Sequence, residues 1–70
     1  MSTFLSRLEE EQEELSSKVF KLHDFVNNNP IYHAASIVQQ KLLVTQLLAM
    51  KIYLNMLDER LLDLSPQTSN

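Results

Sequence analysis

The chain is predicted to be all-α: a helical hairpin of two long helices, with room for a short N-terminal arm or helix, assembling into a helical homo-oligomer. Three observations carry this. Two apolar seams run at helical spacing, a cluster of helix breakers separates them, and the 70 residues contain neither glycine nor cysteine. A lone core in a domain of this size supplies only roughly 3–5 kcal/mol. No disulfide is possible without cysteine, and two isolated histidines, His23 and His33, do not make a structural zinc site. Oligomerisation is the remaining source of stability.

The first seam reads Leu5, Leu8, Gln12, Leu15, Val19, Leu22, Val26, at spacings that alternate between three and four residues. Flanking Glu, Lys and Gln are good helix formers, and Arg7 with Glu11 and Glu14 with Lys18 stand at i,i+4. The helix spans about 4–26. Thr3 is the favoured N-cap, with Ser6 and Glu9 as an alternative capping box.

Asn27-Asn28-Asn29-Pro30 ends this helix, because Asn tolerates the left-handed conformation and Asn29 can cap a second helix that has Pro30 at its first position. The second seam is Leu43, Leu47, Met50, Leu54, Leu57, Leu61, Leu64, so helix two is expected over about 30–64, after a turn at 27–29. The tail, 65–70, is expected to fray, and residues 1–70 form one helical domain.

A helix of about 35 residues is some 50 Å long, whereas one of about 23 residues spans roughly 35 Å. The difference predicts an overhang at Asn55–Leu64 whose Met56, Leu57, Leu61, Leu62 and Leu64 need cover from another subunit. The stretch from Leu42 to Met50 carries no charge and is apolar nearly all round, which puts helix two at the centre of an oligomer.

Composition excludes several function classes. Six Lys and Arg against nine Asp and Glu give a net charge of −3, which argues against a nucleic-acid polymer as partner. Without glycine, phosphate loops of the P-loop or dinucleotide type cannot be built. No apolar run is long enough to span a bilayer and the N-terminus does not read as a signal peptide, so a cytoplasmic location is expected.

No catalytic constellation converges: Ser16, Ser17 and Ser36 read as helix residues and the histidines flank the turn. The expectation is a protein that is not an enzyme and takes no cofactor or metal. The acidic block Glu9–Glu14 reads as a solvated face, and Tyr32 and Tyr53 as core or interface residues. Phe4, ahead of the main seam, reads as a stacking platform or an interface plug. Arg60, after Asp58 and Glu59, either pairs across an interface or reaches an anion.

The order of these signposts is informative. Phe4, Arg7 and Leu8 are followed by Glu14-Leu15-x-x-Lys18-x-x-Lys21-Leu22-x-x-Phe25, the Asn-rich turn, and Gln46-Leu47-x-x-Met50-x-x-Tyr53-x-x-x-Leu57-x-x-Arg60. Over about residues 4 to 62 this resembles the second described class of small phage anti-CBASS sponges. The resemblance implies compact helical hexamers that sequester the cyclic oligonucleotides with which bacteria signal phage infection, without cleaving them. It further implies a cyclic dinucleotide held between two protomers, with the stacking aromatic at Phe4, where the family typically has Tyr, and cations at Arg7 and Lys18, or Lys21 in place of Lys18 if the register differs by one turn. A separate cyclic-trinucleotide pocket where three protomers meet would use Arg60. Beside this resemblance, the two heptad seams also fit a coiled-coil adaptor that binds a host protein helix.

Overall fold

The computed structural model describes residues 3–64, so the expected frayed tail lies outside the described residues. The fold is all-α: α1 (Phe4–Asn28) and α3 (Ile37–Leu64) pack antiparallel as a hairpin, joined through the short α2 (Pro30–Ala34). Neither long helix is apolar over enough of its length to cross a membrane.

Thr3 caps α1: its backbone is extended and its Oγ1 accepts from the Ser6 amide at 3.0 Å. Phe4 is therefore the first helical residue rather than part of an arm. At the other end the asparagines use their side chains. Asn27 Nδ2 donates to the His23 carbonyl and Asn28 Nδ2 to Asp24 Oδ1, each at 2.7 Å. Asn29 serves both helices, its N–H donating to the Phe25 carbonyl and its Oδ1 accepting from the Ile31 amide at 2.9 Å. The left-handed cap expected of the asparagines does not form. Asn29 is extended, and no described residue has positive φ.

Helix two is not continuous. After Ala34 the backbone extends at Ala35 (φ −71°, ψ 161°), and Ser36 restarts the helix by accepting from the Gln39 amide at 3.1 Å. Gln40 clamps the elbow, its Nε2 donating to the carbonyls of His33 (3.2 Å) and Ala35 (3.0 Å). Ser36 is thus a cap and not a mid-helix residue. Tyr32 is buried under the elbow, edge-on to Phe25 with ring centroids 6.2 Å apart.

This break removes the expected overhang. With 28 residues α3 is about 42 Å long, against about 38 Å for the 25 residues of α1. The C-terminal part of α3 consequently packs on the N-terminal part of α1. Leu57 is fully buried, and Gln12 Nε2 donates to Asp58 Oδ1 at 3.0 Å. Leu57 and Leu61 need no second subunit to cover them, while Met56, Leu62 and Leu64 remain exposed.

The core is the meeting of the two seams. Leu8, Leu15 and Val19 pack with Leu47 and Leu57, flanked by Leu22, Val26, Met50, Leu54 and Leu61. Gln12, the one polar seam member, is half-buried and satisfied by Asp58. On the opposite face of α3 a further stripe is exposed: Val38, Leu42, Thr45, Ala49, Ile52 and Met56, again spaced four and three. It has the period of a coiled-coil seam and, among the described residues, nothing packed on it.

Candidate functional site

The residues singled out in the sequence fall on two flanks that border the core seams. Arg7, Glu11, Glu14, Lys18, Lys21 and Phe25 recur at four and three along α1, so they line one side of that helix. Gln46, Met50, Tyr53 and Arg60 do the same along α3. Antiparallel packing brings the flanks together at two places, one at each end of a shared edge.

At the first place, the guanidinium of Arg60 lies over the Phe4 ring, its central carbon 5.9 Å from the ring centroid. This is at the outer edge of a cation–π contact. Both side chains are exposed, and Arg7 stands one turn further along α1, also exposed. Its chemical character is an aromatic face with two guanidinium groups, which suits a flat base and its phosphate.

At the second place, Lys18, Lys21, Leu22 and Phe25 of α1 and Gln46 and Met50 of α3 line an open groove of about 380 Å³. Both lysines are exposed. The pairs Arg7–Glu11 and Glu14–Lys18 expected from i,i+4 spacing do not close: among the described residues no Lys or Arg is bridged to a carboxylate. The groove therefore presents two ammonium groups one turn apart above an apolar floor.

Phe4 and Lys18 are fourteen positions apart on one straight helix, about 21 Å along its axis. One protomer cannot close both on a single small ligand. A site that uses the two together must take Phe4 from one copy and Lys18 from another. Arg60, in contrast, shares its place with Phe4. The acidic block behaves as read, with Glu9, Glu10, Glu11, Glu13 and Glu14 all exposed. Of the tyrosines, Tyr32 is buried and Tyr53 is exposed beside the flank residues of α3.

Sequence reasoning passed over Phe25 and Gln46 as site residues. The signal was present, since both sit at the flank spacing that Lys18 and Met50 define. A second groove, of about 480 Å³, lies at the elbow and is lined by Tyr32, Ile37, Gln40, Lys41, Val44 and Thr45.

Comparison with known proteins gives no match among curated proteins or solved structures. One family model does match, described as Sequestin, over residues 2–63. Its name denotes a sequestering protein, in keeping with the sponge resemblance carried by the signposts from Phe4 to Arg60. Because the match takes in nearly the whole chain, the protein belongs to the Sequestin family.

Proposed function

We propose that this chain is a phage immune-evasion protein that binds cyclic oligonucleotide second messengers and withholds them from host CBASS effectors, in the cytoplasm of the infected bacterium. Sequestration needs affinity and no turnover, so the protein acts as a binder rather than an enzyme. The observation that carries the reading is the groove in which two unbridged lysines stand beside an aromatic ring and an apolar floor, in a chain of a sequestering family. Local cations suffice for a small anion even when the net charge is −3, because only a polymer would feel the whole acidic surface.

The sponge works as a homo-oligomer, with a hexamer implied by the resemblance. Phe4, Arg7 and Lys18 serve cyclic dinucleotides across two protomers, and Arg60 serves a cyclic trinucleotide. The exposed stripe from Val38 to Met56 supplies the contact between copies. That stripe also favours the second reading, a coiled-coil adaptor that uses the same face for a host helix.

Calorimetry of the purified chain against a panel of cyclic di- and trinucleotides tests the proposal, followed by heating and chromatography of the released ligand. Tight binding and intact ligand are expected. Absence of binding across the panel overturns it in favour of the adaptor, and recovery of cleaved ligand overturns the non-catalytic reading.

A further inference from the structure

We propose that the groove between α1 and α3 is a self-contained half-site for one adenine nucleotide unit, in which Lys18 and Lys21 hold phosphate, Phe25 and Met50 receive the base, and Gln46 reads the base edge. The inference rests on the proposed sequestration of a phosphate-bearing nucleotide, uses Lys18 and Lys21 together rather than as alternatives, and assigns roles to Phe25, Gln46 and Met50, which that reading does not use.

Size is the first argument. At about 380 Å³ the groove lies at the small end of the roughly 300–1,000 Å³ range of small-molecule sites, room for one nucleotide rather than a two-nucleotide ring. A cyclic dinucleotide has two such units, and two copies of the chain supply two such grooves. Phe4 lies about 21 Å along the helix from Lys18 and so is not the aromatic of this half-site. Phe25, four residues beyond Lys21 on the same flank, is.

Charge is the second. Like charges one turn apart on a helix repel, and no acid lines the groove to offset them. Glu14 stands one turn before Lys18, and Asp24, one turn after Lys21, accepts from Asn28 instead. A phosphate can accept from both ammonium groups at once.

Gln46 is the third. The contact its Nε2 makes is with Met50 Sδ at 4.0 Å, a weak acceptor. Its carboxamide is thus aimed at the groove floor with a carbonyl acceptor and donor capacity to spare. One donor and one acceptor in that arrangement match the N6 and N7 edge of adenine, whereas guanine offers two acceptors there.

The test titrates AMP, GMP, adenosine and inorganic phosphate into the full isotope-labelled chain, following the Gln46 side-chain amide, the Phe25 ring and the Met50 methyl by NMR. AMP is expected to shift all three signals and to bind at least about tenfold more tightly than adenosine or phosphate alone, as expected for a charge-assisted contact. Lys21→Ala should weaken AMP about tenfold or more, and Gln46→Leu should erase about a tenfold preference for AMP over GMP. Both residues are exposed, and far-UV circular dichroism verifies that each variant is folded. Shifts confined to Phe4, Arg7 and Arg60 overturn the half-site, as does unchanged AMP affinity and base preference in the two variants. If a cyclic dinucleotide still binds equally well to both variants, the half-site falls and the sponge stands. If no nucleotide binds at all, both fall.

Discussion

Arg60, near the end of α3, lies over Phe4, the first residue of α1, with its guanidinium carbon 5.9 Å from the ring centroid, a proximity that an antiparallel hairpin allows. Each was singled out for a different ligand, yet they share one corner of the hairpin. A contact of this kind at an exposed site contributes about 0.5–1 kcal/mol. A double-mutant cycle on thermal stability with Phe4→Leu and Arg60→Gln should return a coupling of that size, and strict additivity would show that the contact is absent in solution.

The same contact shapes what Arg60→Glu does to binding. Loss of cyclic tri-AMP binding is expected, while cyclic-dinucleotide affinity falls no more than about fivefold, the equivalent of a lost cation–π contact. Comparable loss of both ligands with the oligomer intact would mean one site rather than two. Calorimetry on both ligands reads the difference.

Phe4→Ala and Lys18→Ala should each weaken cyclic-dinucleotide binding at least about tenfold, since base stacking and a charged hydrogen bond to phosphate are each worth about 1–3 kcal/mol. The two residues lie about 21 Å apart along one protomer's α1, so mixing the two single variants in one oligomer tests the shared geometry. Mixed oligomers should contain some sites that keep both native side chains, and should bind more ligand than either variant alone.

Leu57→Ala is expected to cost about 2–5 kcal/mol, the range for removing a fully buried leucine from a packed core. For a core of this size that is most of the available stability. Urea unfolding followed by circular dichroism checks it, and a small shift would place Leu57 at the periphery instead.

Ile52→Glu puts a carboxylate on the exposed α3 stripe, on the face away from the core seam. Light scattering should show dissociation to the hairpin, with helicity retained. An unchanged mass would locate the contact between copies on another face.

Much of this fold was legible because its forces are local. The seams of α1 and α3, the Thr3 cap and the Asn29–Pro30 junction follow from spacing and from side chains that bond their own backbone. The break at Ala35–Ser36 was missed although Ser36 and Gln39 stand at the spacing of a capping box, because the seam that begins at Leu43 gave no reason to stop a helix earlier. The overhang error followed directly, since lengths were compared without the elbow. For the candidate site, Lys18 and Arg60 enter through the family resemblance, since residue type alone leaves both as surface or interface charges. That Arg60 lies beside Phe4 depends on the antiparallel register, which the shared core of Leu8 and Leu57 sets and no local pattern does.

The junction through Asn29 also limits how copies of the chain can associate. Exchange of helices between copies would require the hairpin to open, with α1 running straight on into α2. Pro30 disfavours that path: a through-helix would lose the bond to the Val26 carbonyl and force the proline ring against it, at a cost of about 3 kcal/mol or more. In the proposed oligomer, copies would then meet as closed hairpins, so that it could come apart and re-form around the proposed ligand without any protomer unfolding.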